Sequence, residues 1–426
     1  MNVPEDLLHH VWKFRLFKRQ KLQTTEGEVI EIIKPGFHNR NAGPDFENAK
    51  IKIGDTLWVG NVEIHLNSSD WYRHQHHRDM AYDNVILHVV SKHDREISRS
   101  DGTRIAVLEI ESLISDEIKQ NYFMLMNGVS WIPCENIIKE VERFYLKKCL
   151  DRIMVERLEE RTEQLQELLK EFRGSWDNAF YIAIARNFGF KTNALPFEML
   201  ARSLPQNLLA KYKNRPIQIE AMIFGQAGFL NTGFKDHYPK LLKQEYQFLK
   251  KKHSLEPIDR YLWKYMRLRP RNFPTLRLAQ FSALIVNSNH LFSRTLDEPD
   301  ISVISMMLGK LQTAPYWQNH YRFEQISQHH SALPGRDAVD NIMINTIAVF
   351  LFAYGLSTKN ETYMERGIKM LESLRPESNA IIRRFNDIGV KSHNSACTQA
   401  LIQLKKSYCD QKKCLSCEIG FNFLNK

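Results

Sequence analysis

Residues 56–67 read TLWVGNVEIHLN, and residues 84–91 read NVILHVVS. These two stretches decide the fold. On a strand, residues two apart share a face, so Glu63 and His65 project the same way. The second stretch is apolar almost throughout, the pattern of a central strand covered on both sides. Working outward, 28–34 (EVIEIIK) is strand-like and stops at Pro35-Gly36. Residues 38–44 (HNRNAGP) form a polar turn. Residues 49–53 form a strand, and Gly54-Asp55 joins it to 56–67 as a hairpin. Residues 104–110 add another strand. Before them, 3–21 reads as a helix, with Leu7, Leu8, Val11, Trp12 and Leu16 forming one apolar stripe and Pro4 near its first turn. The expectation is an α/β fold with a mixed sheet.

The texture changes near residue 113. Strand alternation gives way to helical periodicity over 140–172, 176–188, 196–203, 217–224, 238–252, 274–286, 302–310, 338–354, 363–374 and 395–408. A chain of 426 residues exceeds one ordinary core. The division predicted is an α/β domain over 1–112, a linker over 113–135 and an all-helical domain over 136–426.

Composition narrows the function. A hydrophobic share of 43% with 25% charged residues belongs to a folded soluble chain rather than a disordered one. No run of about 18 apolar residues occurs, so no membrane span is expected. The start MNVPEDLLHHVWKF carries acids and histidines where a secretory signal needs an apolar core, so a cytoplasmic protein is expected. The formal charge of +10 favours a polyanionic partner such as nucleic acid. No G-x-S-x-G element or dinucleotide fingerprint is present, and the glycine turn at 225–228 lacks the lysine of a phosphate loop.

The first candidate site is Pro44-Asp45 followed by Glu63-Ile64-His65. Two carboxylates can hold Mg²⁺ or Mn²⁺ by oxygen, and the ion activates water beside a phosphate. His65 would complete the coordination shell or orient that water. The plainer alternative is that Asp45 caps a turn while Glu63 and His65 face solvent. Glu5, on the first helix, is a candidate helper acid, or simply a first-turn acid matching the helix dipole.

The second candidate is SDWYRHQHHRDMAYD (69–83), with His74, His76, His77 and Asp79. Imidazole with carboxylate suits Zn²⁺, Mn²⁺ or Fe²⁺ better than Mg²⁺. His77 and Asp79 are chosen as ligands because they lead into the turn before the central strand, and His65 and His88 are placed to lie nearby. The third is the terminal set Cys397, Cys409, Cys414 and Cys417, whose last pair is a C-x2-C hook. Four thiolates suit structural Zn²⁺ or an iron–sulfur cluster. Arg267, Arg269, Arg271 and Arg277 form a basic, proline-framed stretch that could touch phosphates or tie helix ends together.

Asn41-Ala-Gly-Pro-Asp-Phe46, Gly60-Asn-Val-Glu-Ile-His65, Asp70-Trp71, Asp79 with Tyr82, and Leu87-His-Val-Val90 resemble an uncharacterised bacterial family, domain of unknown function 2851. The likeness extends through 219–228, 269–277 and the terminal cysteines. The N-terminal third separately resembles the PD-(D/E)XK nuclease superfamily, with Pro44-Asp45 and Glu63-x-His65 at its motif positions and His65 where lysine is usual. That resemblance implies a restriction-endonuclease-like mixed sheet and Mg²⁺- or Mn²⁺-dependent cutting of DNA or RNA. Some nucleases of that superfamily carry an iron–sulfur cluster. The expected activity is phosphodiester hydrolysis. The alternatives are a non-catalytic nucleic-acid-binding protein on the same scaffold and a transition-metal hydrolase of a small molecule.

Overall fold

The computed structural model describes residues 3–18, 21–39, 41–287 and 290–425. Two compact units divide the chain. The first takes Met1–Cys149 with Asp387–Val390 and Leu404–Lys426, and the second takes Leu150–Asn386 with Lys391–Gln403.

The first unit is built on a seven-stranded sheet. Its strands are β1 (Leu22–Gln23), β2 (Val29–Lys34), β3 (Phe37–His38), β4 (Phe46–Ile53), β5 (Thr56–Asn67), β6 (Val85–Lys92) and β7 (Ala106–Glu109). The order is β1-β2-β4-β5-β6-β7, with β3 paired to β4. The β2, β4 and β5 pairings are antiparallel, whereas β5–β6 and β6–β7 are parallel, so the sheet is mixed. The β4–β5 hairpin turns at Gly54-Asp55, with Gly54 at φ +56°, where a side chain is disfavoured. Strand β6 is buried from Val85 through Ser91, as its apolar run requires. Gly60 lets β5 close on β6, because a Cβ there would sit 2.5 Å from the Asn84 carbonyl oxygen.

Helix α1 (Glu5–Phe14) buries Leu7, Leu8, Val11 and Trp12. It stops sooner than the periodicity over 3–21 suggests. Arg15 adopts a left-handed conformation (φ 55°), and the Leu16 amide donates to Val11 O at 3.0 Å, a closing bond that ends a helix. Arg19, Gln20 and Arg40, which the helix and turn readings take in, lie outside the described residues. Residues 113–135, read as a linker, contain helix α3 (Asp116–Asn127), preceded in the chain by the one-turn α2 (Asp70–Arg73). The Ser115 hydroxyl caps α3 by accepting from the Ile118 amide at 3.2 Å. Trp71, Tyr82, Val85, Val90, Ile97, Ile105 and Val107 form one core cluster of this unit.

His10 lies on the buried face of α1 at 4% exposure, its ring 4.9 Å from Phe14 and 5.7 Å from Phe421. Burial, with Lys13 nearby, pushes it down to about 4. A depressed histidine binds fewer protons folded than unfolded. The stability it preserves is therefore full above the ordinary histidine pKa and is lost as pH falls from about 6.5 towards 4. His10→Leu should flatten that acid-side slope in thermal melts between pH 7 and 4.5, and an unchanged slope would remove His10 as its source.

Among the described residues, the strands of the second unit are those of a two-stranded hairpin, His320–Arg322 with Gln325–Ile326, where the sequence reading has helices alone. Its long helices include Trp176–Phe188, Pro216–Gln226, His237–His253 and Pro274–Asn287. The run Arg336–Thr358 widens at Met343–Ile347 and is long and apolar enough, by length and composition, to cross a membrane. Its apolar window is 72% buried within the protein, as a core helix is.

Candidate metal centre

Asp45 sits where β4 begins. The Asn39 side chain donates to Ala42 O and Pro44 O, and the Asn39 amide donates to Asp45 O at 2.8 Å, closing the loop before the strand. Just beyond, a bulge separates Phe46 (opposite Val62) from Ala49 (opposite Gly60), with Asn48 at φ 55°. Bulges of this kind re-aim neighbouring side chains. The result joins the two acids. Asp45 Oδ2 accepts from the Ile64 amide at 2.9 Å, and Glu63 Oε2 accepts from the Asp45 amide at 3.1 Å.

Glu63 and His65 share a face, as period two demands, but that face is interior: they are 5% and 2% exposed. The solvent-facing alternative therefore fails. Glu63 Oε1 lies 3.4 Å from His65 Nε2 and 3.3 Å from His76 Nε2. His74 Nδ1 lies 3.1 Å from His65 Nε2. Ligand atoms of His65, His74 and His76 all fall within 4.8 Å of one another. The other nitrogen of His65, Nδ1, is 2.9 Å from His88 Nε2, so with Nδ1–H donating to His88 the Nε2 lone pair is left facing Glu63.

This donor set fits a cation. His76 Nε2 is buried and, among the described residues, makes no hydrogen bond of good geometry, its 3.3 Å approach to Glu63 Oε1 being an ion-pair distance. Two ring nitrogens face each other at 3.1 Å beside a carboxylate oxygen, an arrangement a shared cation satisfies without a proton between them. Burial, then His76 and His74, push His65 down to about 3, so its ring is neutral at physiological pH. Burial also holds His88 well below the ordinary histidine range. Glu63 is raised, first by burial and then by Asp45 against the pull of His76.

Helix α1 supplies a second layer. His9 Nε2 lies 3.4 Å from Asp45 Oδ2. Burial opposes the charge on His9, yet Asp45, Glu5 and Glu63 prevail and raise its pKa. Burial likewise works against ionisation of Asp45, but His9, the Ile64 amide and His65 hold its carboxyl below the usual range. Glu5 is half-buried and raised, by burial first and by Asp45 and Asp70 as well, so it belongs to this neighbourhood.

Asp45, Glu63, His65 and Glu5 are thus brought together. His77 and Asp79 are not part of the triad. Asp79 Oδ1 accepts from the Ala81 amide at 2.9 Å, capping the turn Met80–Tyr82, and His77 packs on Tyr72 with ring centroids 5.0 Å apart. The residues of that segment brought into the triad are His74 and His76, the latter stacked on Tyr82 at 3.8 Å. His9 was missed. Its signal was the i,i+4 spacing from Glu5, which puts both on one side of α1.

A model of the family described as Protein of unknown function (DUF2851) matches residues 5–380. The chain belongs to that family. No curated protein and no solved structure is significantly similar to it. The DUF2851 match takes in every residue of the centre described above, while Cys397, Cys409, Cys414 and Cys417 lie beyond its end.

In the helical unit of this DUF2851 protein, Arg267, Arg269 and Arg271 are exposed. Arg277 is 4% exposed, donates to Gln280 Oε1 at 2.9 Å and Asn272 Oδ1 at 2.6 Å, and covers the Phe190 ring. It ties helix ends together and is not free for a phosphate. Cys397 lies on helix Ser395–Gln403 of the second unit, whereas Cys409, Cys414 and Cys417 belong to the first.

Proposed function

We propose that the protein is a metal-dependent phosphodiester hydrolase acting on DNA or RNA, with the first unit as a restriction-endonuclease-like domain. One observation carries the reading: three imidazole nitrogens within 4.8 Å of one another, beside a buried carboxylate oxygen 3.3–3.4 Å from two of them. Asp45 adds a second carboxylate at the same strand pair. Glu63, His65, His74 and His76 would hold the ion. Imidazole-rich sets favour Mn²⁺, Fe²⁺ or Zn²⁺ over Mg²⁺. When bound, such a cation supplies a nucleophilic water at neutral pH and neutralises phosphate charge. Asp45, kept ionised, is placed to accept a proton. His9, kept protonated above its ordinary range, is placed to give one to a leaving oxygen. The charge of +10 supports a polyanionic substrate.

The test is incubation of plasmid DNA and of single-stranded RNA with the protein and, in turn, Mg²⁺, Mn²⁺ and Zn²⁺. Cleavage with Mn²⁺ or Zn²⁺, abolished by chelation and reduced about 10²- to 10⁴-fold in His9→Ala, is the expected result. Binding without cleavage under every metal would assign the chain to non-catalytic nucleic-acid binding. Retention of metal with no affinity for polynucleotide would point instead to a small-molecule hydrolase.

A further inference from the structure

Five of the six cysteines fall in the first unit. They come from three remote segments: Cys134 follows α3, Cys149 lies on helix α4 (Arg143–Glu171), and Cys409, Cys414 and Cys417 end the chain. All are free thiols. Cys134, Cys409, Cys414 and Cys417 line one small pocket, whose remaining wall includes Leu125, Pro133 and Tyr408.

The chain is shaped to hold these sulfurs. Cys414–Ser416 forms a tight turn, and the Cys417 amide donates to Cys414 O at 3.2 Å. Gly420 packs directly behind, since a Cβ there would lie 2.2 Å from Cys414 O. Cys417 Sγ accepts the Cys149 thiol and the amides of Gly420 and Ile419, donors that suit a thiolate. Cys134, Cys409, Cys414 and Cys417 face one another across this pocket. Lys405 and Lys412 add positive charge near Cys409 and Cys414.

Four thiols converging on one pocket suit either a single tetrahedral Zn²⁺ or an iron–sulfur cluster.

We propose that Cys134, Cys409, Cys414 and Cys417 hold a metal centre through four thiolates, as one Zn²⁺ or an iron–sulfur cluster, with Cys149 as a hydrogen-bond donor to Cys417 rather than a ligand. The site stands apart from the hydrolytic centre and does not rest on it. Each ligating thiol gives up its proton on assembly. The test is full-length protein purified without air, assayed for iron, acid-labile sulfide and zinc, with visible absorption before and after dithionite. Wild type should carry either about one zinc per chain without sulfide, or iron and sulfide in near-equal amounts with absorption that bleaches on reduction. Cys134→Ser and Cys414→Ser should lose that metal. Cys397→Ser and Cys149→Ala should keep it, and this also shows that a cysteine change does not by itself unfold the chain. No metal in wild type, or full metal in Cys134→Ser, would overturn the assignment.

Discussion

Glu63→Gln is expected to bind Mn²⁺ and Zn²⁺ more than about 100-fold more weakly than wild type and to lose the proposed hydrolysis with it, an effect larger than that of changing a residue behind the ligands. The substitution keeps the shape of the side chain. Its carbonyl oxygen can still accept from the Asp45 amide, so the link between β4 and β5 survives. What disappears is the only carboxylate charge within 3.4 Å of His65 and His76 among the described pairs. An imidazole set without that charge holds a divalent cation less tightly and less selectively. His76→Ala should act in the same direction, because its buried Nε2 has no other partner. His77→Ala should leave affinity unchanged, since that ring packs on Tyr72 instead. Calorimetric titration reads all three, and equal affinity in wild type and Glu63→Gln would dissolve the proposed centre.

Trp71→Ala is expected to lower the stability of the first unit by about 3–5 kcal/mol, the range for removing a large buried aromatic. The ring is fully buried, and its indole N–H donates to Ser98 O at 3.0 Å. The same ring lies 5.4 Å from His76, 5.6 Å from His88 and 5.9 Å from Tyr82. Loss of that wall frees His76 to leave the geometry that faces Glu63. Metal affinity should therefore fall together with stability. Tyr72→Ala, a change at the edge of the same cluster, should cost less. Denaturant unfolding checks the first claim and metal titration the second. A Trp71→Ala protein as stable as wild type would show that this core does not bear on the site.

The strands around residues 56–67 and 84–91 were legible because period-two alternation and an unbroken apolar run report directly which faces are covered. The Gly54-Asp55 turn and the shared face of Glu63 and His65 came from the same rule. The helix end at Arg15 was not legible, because the apolar stripe continues past the residue that turns left-handed. The choice among His74, His76, His77 and Asp79 was not legible either. Short one-turn segments have no periodicity, and the Gln75 backbone at φ 64° redirects the chain into the turn His76–Arg78. Cys134 gave no local sign of kinship with Cys414, because 279 positions of chain intervene before the fold sets both on one pocket.

Sequence alone determined the α/β start, the helical remainder and the acids worth watching, because burial periodicity and residue chemistry are local properties. Tertiary structure decided which histidines meet Glu63, and it set Cys134 rather than Cys397 beside the terminal thiols. A ligand set depends on distances between segments far apart along the chain, and those exist only once strands pair and helices pack.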